Sequence, residues 1–154
     1  MERKIIGVIG GGAVGPEILK MAEETGRLIA KHGCLLICGG MSGVMEAAAK
    51  GAKEAGGTTI GILPHTDRHE ANPYIDIPIA TGLGEGRNLV IIRTADILIA
   101  IDGEYGTLSE IAFALKMKKR VIGLRTWDIP GIVKAETPLE AVKIAAEILD
   151  ERAA

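Results

Sequence analysis

ADILIAIDGEYGTLSEIAFALKMKK, residues 95–119, holds the signals on which the fold turns. Ile97 to Ile101 is an unbroken apolar run, short and β-branched, and reads as a strand buried on both faces. Asp102, Gly103 and Gly106 interrupt it. From Thr107 onward the apolar residues recur at helical spacing, which predicts a helix over 107–119. Thr107-x-x-Glu110 has the spacing of a helix capping box, in which both side chains satisfy N–H groups of the first turn. An open parallel sheet also keeps its chemistry at this point, just past the carboxyl end of a strand. Glu110 is therefore expected to serve twice, as a cap and as a charged group in the crevice.

The same alternation extends outward in both directions. KIIGVIG (4–10), CLLICGG (34–40), TTIGILP (58–64), IDIPIAT (75–81) and RVIGL (120–124) read as further strands. Helical patterns fill the intervals at 16–33, 44–56 and 86–95, with Pro16 suited to a first helical turn. Residues 64–74 are polar and irregular, and 126–136 is a loop with one short strand. Thr137-Pro138-x-Glu140 opens a last helix over 138–153 with a second capping box. The expected fold class is α/β, a single Rossmann-like doubly wound parallel sheet flanked by helices over residues 1–154.

Composition narrows the function. The chain has 154 residues and 47% hydrophobic residues but only 3% aromatics, so its core is aliphatic. A net charge of −2 without a basic stripe argues against nucleic acid. Cys34 and Cys38 fit buried small hydrophobes, with no redox or zinc spacing. The opening MERKIIGVIGGGAVGP imitates a signal peptide, but glycines break its apolar stretch and an amphipathic helix follows. No run reaches membrane-spanning length, and a cytoplasmic location is expected.

Three glycine-rich turns each precede a helix. Gly10, Gly12 and Gly15 form a GxGxxG, yet the next strand ends in Gly39 and Gly40 where a dinucleotide site needs an acid. A tight turn is favoured there, with an anion contact left open at Gly11 and Gly12. The second turn brings Gly39, Gly40, Ser42, Gly43 and Met45 to a helix N-terminus, where free N–H groups suit a phosphate. The third supplies Gly103, Tyr105, Gly106 and Thr107. No GK[ST] follows either turn, so the pattern is not a P-loop. Two anion-ready helix ends imply one phosphorylated ligand held between them.

GGMSGVMEAAAKGAKEAGGTTIGILP, then GRN and DGEYGTLSEI, resemble the Lonely Guy family, often labelled putative lysine decarboxylase, whose members share PGGxGTxxE. Within that superfamily GGTTIGILP and IDIPIATGLGEGRN are most similar to the molybdenum-cofactor carrier group. The resemblance implies a Rossmann-like homodimer, or a higher homo-oligomer, that binds a nucleotide-type phosphorylated ligand. In the hydrolase branch an arginine and the motif glutamate cleave the N-glycosidic bond of a nucleoside 5′-monophosphate; Arg87 and Glu110 stand at those positions. In the carrier branch the crevice holds a molybdopterin-type cofactor and no bond need break. Asn88 stands where the hydrolase pattern has lysine, and Asp102-Gly103-Glu104 replaces PGG. A carrier or binding role is thus preferred to phosphoribohydrolase action on an AMP-like nucleotide. Pyridoxal phosphate chemistry is not expected, because no lysine stands out as a Schiff-base former.

Three side patterns have simpler readings. Asp102, Glu104 and Glu110 offer a weak Mg²⁺ site beside a phosphate. His65 and His69 are spaced for zinc only on a helix, which Pro64 and Pro73 oppose. KMKKR, residues 116–120, complements a helix C-terminus.

Overall fold

The structure, a computed structural model, describes residues 2–153. Among these residues lie seven strands, β1 (Ile5–Gly10), β2 (Leu35–Cys38), β3 (Thr59–Leu63), β4 (Ile77–Ala80), β5 (Ile97–Ile101), β6 (Val121–Leu124) and β7 (Ile132–Ala135). Five α-helices connect them, α1 (Pro16–Lys31), α2 (Val44–Glu54), α3 (Arg87–Thr94), α4 (Tyr105–Lys116) and α5 (Pro138–Ala153). The sheet runs β4-β3-β2-β1-β5-β6-β7, every pair parallel. The expected doubly wound α/β sheet is therefore present.

Strand geometry sorts the core into two layers, because alternate side chains leave opposite faces. On β5, Ile97, Ile99 and Ile101 pack with Ala22, Ile29, Val44 and Ala48 of α1 and α2, and with Val142 and Leu149 of α5. Leu98 and Ala100 point the other way, onto Ile91 and Ile92 of α3 and Ile111 and Ala114 of α4. All five β5 residues are buried, as an unbroken aliphatic run requires. Each large aliphatic side chain so placed contributes about 1.5–3 kcal/mol. Cys34 and Cys38 are free and buried in the first layer.

Helices α1 and α2 approach at backbone distance. A Cβ on Gly26 would lie 1.8 Å from the Ala48 carbonyl oxygen, and one on Gly51 would lie 1.8 Å from that of Glu23. The alanine-rich face of α2 is thus spent on α1 and the sheet.

The order of strands fixes where a ligand can enter. The chain runs outward from β1 to β4, crosses back to β5 beside β1, and runs outward again to β7. Loops leaving β1 and β5 therefore part to opposite faces, which opens a crevice at their carboxyl ends.

The capping box expected at Thr107 does not form. Helix α4 starts at Tyr105, two residues before the expected 107, and its N-cap is Glu104, three residues before the expected cap at Thr107. Asp102 (φ 53°) and Gly103 (φ 101°) both adopt left-handed conformations and turn the chain at once. Thr107 then falls inside the first turn, and Glu110 sits too far along to reach any free N–H.

Candidate functional site

A cleft of about 330 Å³ opens where β1, β2 and β5 end. It lies at the low end of the range for small-molecule sites. Gly11 and Gly12 of the first turn line one wall, and Asp102, Gly103, Glu104, Gly106 and Thr107 the other. Gly39, Met45, Arg87, Asn88 and Glu110 close the depth between them. Four sequence-distant segments thus meet around one space.

The glycines are explained by what a side chain would strike. At Gly39 a Cβ would come within 2.5 Å of Arg87 Nη2 and 2.6 Å of Met45 Sδ, so glycine there makes room for the guanidinium. At Gly103 it would lie 2.2 Å from Thr107 Oγ1, in addition to the left-handed backbone. Gly106 has open space around its missing Cβ.

Arg87 is 9% exposed and held by acceptors rather than by acids. Its Nε donates to the Ile62 carbonyl at 2.9 Å, Nη2 donates to the Gly39 carbonyl at 3.4 Å, and Nη1 donates to Asn88 Oδ1. Burial pulls the guanidinium below its ordinary range, opposed by the charge of Glu110, and an arginine still stays protonated. Burial also pushes the Glu110 carboxyl up to about 7, against the opposing pull of Arg87. Both groups line the cleft, yet among the described residues no direct ion pair joins them. The result is a fixed positive charge beside a carboxyl that can give or take a proton near neutrality.

Four expected ligand residues lie elsewhere. Ser42 Oγ donates to the Gly12 carbonyl at 3.1 Å, and Val44 N–H donates to the Gly11 carbonyl at 3.0 Å. These bonds stitch the second turn to the first and occupy two of the donors that a phosphate could use. Gly43 makes this possible, since a Cβ there would lie 2.3 Å from Gly11 O; Gly40 instead admits Leu63. Tyr105 is 80% exposed and stacks on Trp127 with ring centroids 6.0 Å apart, outside the cleft lining. It departs from the helix on the side away from Gly106 and Glu110, as its position in the turn dictates.

Among the described residues no three His, Cys, Asp or Glu side chains gather into a metal-holding group, so Asp102, Glu104 and Glu110 do not form the carboxylate triad considered above. His69 Nδ1 lies 2.8 Å from Asp67 Oδ1 in an exposed turn, and His65 is not with it. Glu85, absent from the sequence expectations, also lines the cleft; its place directly before Gly86-Arg87 was the available signal. Among the described residues no helix is long and apolar enough to cross a membrane.

The model of the SLOG cluster4 family matches residues 3–151. An uncharacterized protein of Archaeoglobus fulgidus is 49% identical over 143 residues, 92% of this chain and 94% of that one. The cytokinin riboside 5′-monophosphate phosphoribohydrolase of Mycobacterium tuberculosis is 34% identical over 98 residues, 62% of this chain and 52% of its own length. Among solved structures, the molybdenum cofactor binding protein of Rippkaea orientalis superposes with a TM-score of 0.92 at 40% identity, covering 97% of this chain and 99% of that one. The molybdenum cofactor carrier protein of Chlamydomonas reinhardtii gives 0.88 at 40% identity, with the same coverage.

Proposed function

The chain belongs to the SLOG cluster4 family, and from that premise we propose that it binds a phosphorylated small molecule in the cleft between β1 and β5, as a carrier or binding protein. The ligand class is a molybdopterin-type cofactor or a nucleoside monophosphate. One observation carries the reading: the first turn of α4 faces a cleft that also holds the buried Arg87. The N–H groups of Gly106 and Thr107 have no helical partner and carry the positive end of the helix dipole, which suits a phosphate. Arg87 supplies the permanent charge. With Val44 N–H and Ser42 already engaged, the α4 end is the phosphate subsite and α2 is scaffold. The likeness to molybdenum cofactor binding and carrier proteins over the full chain supports this reading.

A second reading is phosphoribohydrolase action on a nucleoside 5′-monophosphate. It is favoured by Glu110, whose carboxyl near 7 beside Arg87 fits a group that handles a proton while an oxocarbenium-like charge develops. The departures from the hydrolase pattern weigh against it: Asn88 stands in place of its lysine and Asp102-Gly103-Glu104 in place of PGG.

Native mass spectrometry of the purified protein tests the first reading: a co-purifying phosphorylated mass supports it, and the same spectrum gives the oligomeric state, for which a homodimer is proposed. Incubation with a panel of nucleoside monophosphates separates the two. Free base that disappears in Arg87→Ala establishes the hydrolase. Ligand binding without base release establishes the carrier. Base release that survives in Arg87→Ala removes Arg87 from the chemistry.

A further inference from the structure

Asp102 stands out in the cleft. It is a non-glycine residue in the left-handed region, at φ 53°, where the chain could have placed glycine at no steric cost. Such outliers cluster at ligand sites because the surrounding structure over-determines them. Here the over-determination is visible. Asp102 N–H donates to the Leu124 carbonyl at 3.1 Å, and its own carbonyl accepts from Thr126 Oγ1 at 2.7 Å. The backbone is pinned on both sides, and the side chain leaves it in one observed direction.

That direction is into the cleft. Oδ2 lies 3.8 Å from the position of a Cβ on Gly11, across the first glycine turn. Among the described residues the carboxylate has neither a hydrogen bond nor an ion pair with another side chain, so its acceptor oxygens are free to meet a ligand in the cleft. Of the other acids lining the cleft, Glu104 and Glu85 are exposed, and Glu110 lies in its depth under the charge of Arg87. A dinucleotide site of this fold holds its ribose hydroxyls with an acid at the end of β2. In this chain β2 is followed by Gly39 and Gly40. Strand β5 flanks β1 on the opposite side, and Asp102 at its end meets the same glycine turn.

We propose that Asp102 is the sugar-reading residue of the cleft, accepting hydrogen bonds from the vicinal hydroxyls of a ribose 5′-phosphate unit whose phosphate lies on the first turn of α4. The ligand is then a ribonucleotide-type phosphate ester. Hydroxyl donors satisfy the carboxylate without a second cation, which accounts for an acid so near the phosphate. The inference rests on the phosphorylated-ligand reading above and narrows it.

Three probes test it on the intact chain by calorimetric titration: AMP, 2′,3′-dideoxy-AMP, and a pterin phosphate that lacks ribose. Trp127, the sole tryptophan, donates its Nε1–H to the Glu104 carbonyl at 3.0 Å and gives an independent fluorescence signal from the same wall. Wild type should bind AMP at least about tenfold tighter than the dideoxy analogue, because a site built to bond hydroxyls rejects ligands without them. Asp102→Gly keeps a residue at ease in the left-handed region and removes the carboxylate, so its thermal midpoint should stay near wild type. In that variant AMP should lose its advantage while the dideoxy analogue binds as well as before or better, since a repelling charge has gone. General damage to the site would weaken both ligands together. Equal binding of AMP and its dideoxy analogue by wild type overturns the inference, as does a preference that persists in Asp102→Gly. Binding of the pterin phosphate alone overturns it and leaves the phosphorylated-ligand reading standing. Binding of none of the three overturns both.

Discussion

Thr107-Leu-Ser-Glu110 and Thr137-Pro-Leu-Glu140 carry one pattern before two helices, and their glutamates end in unlike surroundings. At α5 the pattern caps. Thr137 Oγ1 accepts from Glu140 N–H at 3.1 Å, and Glu140 Oε2 accepts from Glu136 N–H at 3.2 Å. That second bond lands one residue earlier than a standard capping box, but it serves the same free end. At α4 the glutamate lies within the helix, half-buried in the cleft with Arg87. The difference comes from what precedes each threonine. Pro138 suits a first helical position and starts α5 directly after Thr137. The left-handed pair Asp102-Gly103 places the N-cap of α4 at Glu104 instead, three residues ahead of its threonine. A cap and a cleft residue can share a motif, and the turn upstream decides between them.

The sharpest way to break this comparison is Glu110→Gln. The folded-state carboxyl titrates near 7, above its ordinary value of 4.5, so folding favours the neutral form. Below about pH 4 the group is neutral in both states and the wild type suffers no penalty. As pH rises the unfolded chain ionises first, and stability falls until the folded carboxyl has also ionised, above 7. Glutamine cannot ionise and escapes the loss. Glu110→Gln should therefore match wild type near pH 4 and exceed it by up to about 3 kcal/mol at pH 8, a gain of roughly 6–12 °C in melting temperature. Paired thermal melts across this range measure the gap. A constant, small difference at both pH values would return Glu110 to the role of a cap.

How much was legible follows from the same contrast. Ile97 to Ile101 announced a buried strand because a run of aliphatic residues has few other uses, and the glycine-punctuated alternation of strand and helix gave the doubly wound sheet. Arg87, Gly39 and Gly103 are expected from the sequence and line the cleft, but the reason that links them is not in the sequence pattern. Gly39 is empty so that Arg87, 48 positions later, can lie against it. Ser42 was read as a free donor because its bond to the Gly12 carbonyl crosses between two turns far apart in sequence. Tyr105 stands between two cleft residues, Glu104 and Gly106, yet lies outside the cleft, because a helix turns each residue about 100° from the last. Local pattern reports what a segment can do. Contacts between segments decide which option is used.

Thr137→Ala sharpens the comparison from the capping side. It removes the acceptor for Glu140 N–H at an exposed helix start and should cost about 1 kcal/mol. Since the threonine does not titrate, this loss should be the same at pH 4 and pH 8, and ligand binding in the cleft should not change. Denaturant titrations at both pH values, with one ligand titration, suffice. A cost that grows with pH would mean that the α5 start is coupled to the cleft.

The smallest effect is expected at Glu140→Gln, the formal twin of Glu110→Gln. Glutamine retains a side-chain oxygen that can accept from Glu136 N–H, so the hydrogen bond survives the substitution. What is lost is a negative charge in the first turn of α5, where the helix dipole favours an acid, and at an exposed position that is worth a few tenths of a kcal/mol. The expected change is therefore a slight destabilisation, opposite in sign to that of Glu110→Gln at pH 8 and about a tenth of its size. It should shrink further in high salt, which screens an exposed charge from the dipole. Glu140→Ala then isolates the hydrogen bond itself, because alanine removes both the charge and the acceptor, and it should fall below Glu140→Gln. Equal stability of the Ala and Gln variants would show that the bond to Glu136 contributes nothing. A gain in stability for Glu140→Gln would mean that this glutamate, too, is held against its preference for water, and the distinction between the two motifs would fail.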